Sequence, residues 1–222
     1  MQRALRLAGR IGSQRKAITY MSAAFVMAGA VTAGAASASA ATTTAPAPHT
    51  FLAVRNELNW QTNPALAARG ITPPADRLLP VPTAGPQSFI PISPAQYANA
   101  AAIVRQALAM RMGLRSAVIA VATAMQESKL LNVNYGTGES LGLFQQQCDM
   151  GWGSAQQIMD PSYAAGQFLG ALRGYQASNP SWASQPLYAA AQGVQRSSFP
   201  YAYAQWEVQA AQLTSAVVMH MH

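Results

Sequence analysis

Ten of the fourteen prolines in this 222-residue chain lie between Ala41 and Pro94, and that segregation decides where regular structure can form. Proline fixes φ and has no N–H to donate, so such a density prevents long helices and central strands. Residues 41–50, headed by Ala41-Thr-Thr-Thr-Ala-Pro-Ala-Pro48, read as a disordered linker. Residues 51–92 read as an extended, irregular arm, with Phe51, Leu52, Val54, Leu58 and Trp60 apolar enough to fold back onto a domain. The folded unit is expected to begin at Ser93, where apolar residues take up helical spacing.

Ser93 is the expected N-cap of the first helix, with Pro94 in the first turn and Gln96 completing a capping box. That helix runs through Ile103, Val104, Leu108 and Met112 and stops at Gly113. A second is expected after Ser116, ending at about Glu127 or Ser128. Residues 129–140 carry Asn132, Asn134, Gly136 and Gly138 and read as a loop, and Gly151 and Gly153 mark another turn. Asp160-Pro161 caps a third long helix through Tyr163, Phe168 and Leu172. Pro186 opens a short helix from Leu187 to Val194, and Pro200 opens the last, through Tyr203, Trp206, Val208 and Leu213. Strand signals are scarce. The expectation is an all-α domain over residues 93–216, with functional loops between helices and a frayed tail at 217–222.

The net charge of +7 does not point to a nucleic-acid partner, because it is unevenly placed. Residues 1–40 hold Arg3, Arg6, Arg10, Arg15 and Lys16 and no acid, which leaves nine basic against seven acidic residues elsewhere. The basic stretch precedes an apolar run from Ala17 to Ala36 and then Ala38-Ser39-Ala40, the three parts of a secretory signal peptide cleaved after Ala40. An uncleaved anchor is the competing reading, but abundant Ala and Gly make the span weakly apolar. No membrane contact is expected after cleavage, and the mature protein is expected to be secreted or held at the cell wall. About 180 residues then remain, enough for one domain with its own core. Cys148 is the single cysteine, so no intramolecular disulfide can form and packing must supply stability.

The side-chain inventory excludes most hydrolytic chemistry. The histidines are His49 in the linker and His220 and His222 at the extreme C-terminus, so no imidazole is placed to activate Ser128, Ser140 or Cys148. No Cys and His set has the spacing of a zinc site, and no cofactor is implied. Gly136-Thr-Gly138 follows no strand and lacks the lysine of a phosphate-binding loop. What survives is acid catalysis by a carboxylate, and Glu127 leads the seven acidic residues. It ends the apolar run Ala117-Val-Ile-Ala-Val-Ala-Thr-Ala-Met-Gln. There burial and the negative end of the helix dipole both favour the protonated form. By position alone a solvated glutamate at a helix end explains it as well. The context that follows, Ser140-Leu-Gly-Leu-Phe-Gln-Gln146, shifts that balance.

Glu127-Ser128, a loop, and then Ser140-Leu-Gly142-Leu143-Phe144-Gln145 resemble the pattern of the soluble lytic transglycosylase and lysozyme-like superfamily, where Glu-Ser precedes Ser-x-x-Gly-Leu-Met-Gln. The chain looks closer still to a group of secreted actinobacterial proteins with a lysozyme-like domain. Ala120 to Leu130, Gly151-Trp-Gly153, Asp160-Pro161 and Ala189 to Trp206 carry that likeness, which covers roughly residues 95–213. The resemblance implies a lysozyme-like helical fold acting on peptidoglycan glycan strands, with Glu127 as acid/base and with Ser140 and Gln145 supporting the cleft. It also implies Tyr135 and Trp152 as sugar-stacking aromatics in cleft-side loops, and Gln192 and Gln195 as polar contacts. A lytic transglycosylase needs no second carboxylate, whereas a hydrolase would have to recruit Glu139, Asp149 or Asp160. One departure stands out. Where transglycosylases carry Ala-Tyr-Asn-x-Gly this chain has Ala190-Ala191-Gln192-Gly193, so the tyrosine usually found beside the acid is missing. A non-catalytic cell-wall-binding or scaffolding protein with the same fold, and a generic exported helical interaction protein, are the competing readings. Oligomeric state is open.

Overall fold

The first helix, α1 (Pro94–Ala109), begins as its sequence signals require. Ser93 Oγ accepts from the Gln96 amide at 3.3 Å while Gln96 Oε1 accepts from the Ser93 amide at 2.9 Å. These coordinates are a computed structural model, and they describe residues 75–79, 81–136 and 138–221. The signal peptide, the linker and the apolar arm residues Phe51 to Trp60 lie outside the described residues.

The second helix, α2 (Gly113–Ser128), starts ahead of the expected position after Ser116. Gly113 sits at φ +76°, a conformation that lets the chain turn from one helix straight into the next. Ser116 is not a cap. It is buried, and its hydroxyl accepts from Gln176 Nε2 at 2.9 Å. Every residue from Gly113 to Met125 is buried, which is how a helix apolar on all faces must sit. Around α2 pack α1, α4 (Pro161–Ser178), α5 (Leu187–Gln195) and α6 (Glu207–Met219). Asp160 caps α4 as expected, its Oδ1 accepting from the Ser162 and Tyr163 amides at 2.8 and 2.9 Å. A short helix, α3 (Ala155–Ile158), precedes it. Among the described residues the fold is mainly α.

α1 ends at Ala109, short of the expected stop at Gly113, and three more features differ from expectation. A small antiparallel hairpin, β1 (Ser140–Leu141) and β2 (Gln146–Gln147), pairs Ser140 with Gln147 and Leu141 with Gln146. Strands this short leave no periodicity to read. The last helix opens at Glu207 rather than Pro200, because the chain first makes turns and a 3-10 segment at Ala204–Trp206. It also runs on to Met219, with Val217 and Val218 in the core, so the frayed tail expected from residue 217 is helical over its first three residues.

The arm does not end at residue 92 as a free linker. Residues 81–92 are extended and irregular, as expected, but they are stitched to the segment leading into α6. Ser88 N donates to Gln205 O at 2.7 Å and Gln87 Nε2 to Ala204 O at 3.0 Å. Gln209 brackets Ile90, accepting from its amide at 3.0 Å and donating to its carbonyl at 2.6 Å. An extended segment has no internal partners for its backbone, and glutamine amides supply them here. Leu78, in a 3-10 turn at Ala75–Leu78, is fully buried in the same core.

One ion pair lies inside this core. Arg115 near the start of α2 meets Glu207 at the start of α6 at 3.3 Å, with both side chains almost wholly buried. Arg115 also donates to Gln185 O at 3.3 Å, so three segments converge on one guanidinium. Burial pushes the Glu207 carboxyl up while Arg115 pulls it back, the balance expected of a desolvated pair.

Candidate functional site

Glu127 occupies the last turn of α2, half-buried, where the helix ends in an unusual way. Lys129 and Leu130 both adopt left-handed φ, at +57° and +61°, without being glycine. Such a conformation is costly for ordinary residues and persists where neighbours over-determine it. Here the neighbours are on α1: Gln96 Nε2 donates to Lys129 O at 2.7 Å and Asn99 Nδ2 to Leu130 O at 2.9 Å. The helix end that carries Glu127 is therefore held from outside.

The carboxylate has specific partners. Tyr203 Oη donates to Glu127 Oε1 at 2.9 Å. Gln195, at the end of α5, also hydrogen-bonds the carboxyl, and Lys129 is the charge that acts on it. Burial outweighs these three and pushes the Glu127 carboxyl from 4.5 up to about 7. Tyr203 is itself fully buried, and its hydroxyl is pushed upward by burial first and by Glu127 second. It stays a donor at any ordinary pH. Ser197 acts in the opposite direction and lowers the hydroxyl's pKa.

The segment bearing Tyr203 is fixed to α2 by the residue next to the acid. Gln126 Oε1 accepts from Trp206 Nε1 at 2.8 Å and from Gln205 Nε2 at 3.1 Å. The Lys129 ammonium lies 4.7 Å from the centroid of the Trp206 ring, close enough for a cation–π contact. Burial lowers the Lys129 pKa and Glu127 raises it again.

The turn of the hairpin, residues 142–145, ties three segments together beside this helix end. Ser128 Oγ donates to Leu143 O at 2.9 Å, Gln195 Nε2 donates to Phe144 O at 3.1 Å, and Gln145 Nε2 lies 3.4 Å from Tyr135 O. Leu143 and Phe144 point into the core, Phe144 stacking on Phe168 at 4.8 Å. Gly142 makes the turn possible. Its φ is +71°, and a Cβ there would lie 2.7 Å from the Ile158 carbonyl oxygen. The motif from Ser140 to Gln146 is thus a buttress for the acid's surroundings.

The residues singled out in the sequence separate on this geometry. Gln195 reaches Glu127 directly. Gln192 stands one step back, its Nε2 donating to Ser197 O at 2.8 Å. Ser140 is buried and accepts from Gln147 Nε2 at 2.9 Å, which makes it a staple of the hairpin. Gln145 is half-buried at φ +50°, with its amide turned to backbone carbonyls. Tyr135 is 70% exposed in the loop before the hairpin. Trp152 belongs to the core instead of presenting a face, because the turn around Gly151 and Gly153 folds it inward.

Tyr203, Ser197, Gln126 and Lys129 were not legible as site residues. Helical spacing predicts Tyr201, Tyr203 and Trp206 in the core; Tyr203 and Trp206 are buried, but Tyr201 is 69% exposed, because the chain makes turns there and not the expected helix. The available signal was chemical: a buried tyrosine hydroxyl requires a polar partner. None of the remaining described carboxylates is hydrogen-bonded to Glu127. Asp76, Glu139 and Asp149 are exposed, Asp160 caps α4, and Glu207 pairs with Arg115. Among the described residues no three His, Cys, Asp or Glu side chains group closely enough to hold a metal ion. The chain matches no model of a known protein family, and no curated protein matches it significantly.

Proposed function

We propose that this protein is an exported peptidoglycan-cleaving glycosidase of lytic-transglycosylase type, built on a lysozyme-like helical domain. Glu127 is the single acid/base. The observation that carries this reading is its carboxyl, poised at about 7 by burial and held by a tyrosine hydroxyl at 2.9 Å. A general acid working near neutral pH requires that kind of environment. With Tyr203 donating to Oε1, the acid proton belongs on Oε2, from which it passes to the glycosidic oxygen between N-acetylmuramic acid and N-acetylglucosamine. As that bond breaks, the sugar's own 2-acetamido oxygen closes on the anomeric carbon. The carboxylate then takes the proton of the 6-hydroxyl, whose oxygen attacks the same carbon, breaks its bond to the acetamido oxygen and so restores the acetamide, releasing a 1,6-anhydro sugar. No second protein carboxylate enters this scheme.

The non-catalytic reading is weakened by the same environment. A binding domain has no need of a carboxyl half-buried and pushed to neutrality, and such a group costs stability at physiological pH. The tyrosine missing from α5 is replaced in this scheme by Tyr203, which reaches the acid from the segment between α5 and α6. A zymogram on cell-wall sacculi tests the proposal. Wild-type protein is expected to clear the gel and Glu127→Gln to leave it intact, while equal clearing by both would remove Glu127 as the catalyst.

A further inference from the structure

We infer that Tyr201, supported by Tyr188 and Phe199, is a stacking platform for a sugar ring of the glycan strand beyond the cleavage point; this rests on the glycosidase reading above. The segment between α5 and α6 is drawn toward Glu127 at both ends, by Gln195 at one and by Tyr203 at the other. Its inner residues, Ser197 and Tyr203, are buried, and the Phe199 amide donates to Ser197 Oγ at 3.1 Å. Between them the chain turns two large rings outward. Tyr201 is 69% exposed and Phe199 50% exposed.

An exposed aromatic ring usually wanders, but this one is held. Tyr188, on α5, packs its ring edge-on against Tyr201 with centroids 5.0 Å apart and planes at 62°. The Ala204 amide donates to the Tyr201 carbonyl at 3.1 Å and closes a turn around it. An edge-on neighbour fixes the ring and leaves a face open, and a fixed face loses little entropy on binding. Tyr201 is two residues from Tyr203, so their Cα atoms are at most about 7 Å apart. The platform therefore begins beside the acid's own partner.

Area decides what can cover it. The three rings expose on the order of 300 Å² together, against about 800 Å² per side in a stable protein interface. A second copy or a protein partner would need far more. A pyranose offers a compact face of C–H groups ringed by hydroxyls, and the exposed Ser198 lies next to Phe199 in the chain.

The test uses the full secreted chain carrying Glu127→Gln, so that substrate is bound and not consumed. Affinity is measured for a soluble glycan tetrasaccharide and an octasaccharide of alternating N-acetylglucosamine and N-acetylmuramic acid. Adding Tyr201→Ala is expected to weaken octasaccharide binding about tenfold, the size of one aromatic contact. Tetrasaccharide binding should weaken as well, because the platform begins beside Tyr203, and Tyr201→Phe should restore both losses. Equal octasaccharide affinity with and without Tyr201→Ala overturns the platform while leaving Glu127 untouched. If the Glu127→Gln parent binds neither oligosaccharide, the glycan reading itself fails and the platform with it. A dimer in sedimentation that Tyr201→Ala dissociates would also overturn it, in favour of self-association.

Discussion

The hydroxyl of Tyr203 donates to Glu127 Oε1 at 2.9 Å, joining the segment that enters α6 to the C-terminal turn of α2. This bond gives the acid a fixed orientation, and it opposes the effect of burial by favouring the charged form. Catalytic competence near neutral pH depends on how those two influences balance.

Glu127 titrates at about 7 and must be protonated to act. Below that value kcat/KM is expected to be flat on account of this group, and above it to fall by about tenfold per pH unit. The folded state holds a proton between 4.5 and about 7 that the unfolded chain releases, so stability is lost as pH rises through that window. Glu127→Gln should therefore be more stable than wild type at about pH 8, by on the order of 2 kcal/mol after solvent screening of a half-buried group, and no more stable at about pH 4. Urea unfolding at both values checks the sign.

Tyr203→Phe removes the donor while keeping the ring in the core. Because that hydrogen bond lowers the Glu127 pKa, the alkaline limb of the pH profile should move upward. Loss of orientation should reduce kcat by roughly tenfold or more with KM little changed. A pH profile identical to wild type would show that the bond does not tune the acid.

Arg115→Met leaves Glu207 buried without its partner, and should cost about 3–5 kcal/mol in denaturant unfolding. Pairing it with Glu207→Leu should recover most of that loss, because two apolar side chains bury more cheaply than one orphaned charge. Failure of the double variant to recover would mean that Gln185, which also accepts from Arg115, carries the cost.

Gly142→Ala tests the hairpin as a buttress. Its φ of +71° and the 2.7 Å approach to the Ile158 carbonyl leave no room for a methyl. The change should destabilise by more than about 1 kcal/mol and lower activity further than stability alone explains. The turn's carbonyls hold Ser128 and Gln195. Wild-type activity in a destabilised Gly142→Ala protein would separate the hairpin from the site.

Local signals were legible in the sequence where neighbours along the chain satisfy one another. The Ser93 capping box, the Asp160 cap and the start of α5 at Leu187 all formed as their residues require. Ser116 misled because a serine before an apolar run is also what a buried helix uses to reach another helix, here Gln176. The docking of residues 81–92 depends on Ala204, Gln205 and Gln209, more than a hundred positions away, and no local pattern encodes it. Glu127 was found by scarcity and an apolar approach. Tyr203 was hidden, because helical spacing reports burial and not where a hydroxyl points.

Cleavage of the glycan by one carboxyl through intramolecular closure is read directly in the mass of the products. Muropeptides released from sacculi by wild-type protein, and absent with Glu127→Gln, are predicted to carry 1,6-anhydro ends, lighter by one water than reducing ends. Products with reducing ends alone would show hydrolysis instead, and would contradict the single-acid mechanism.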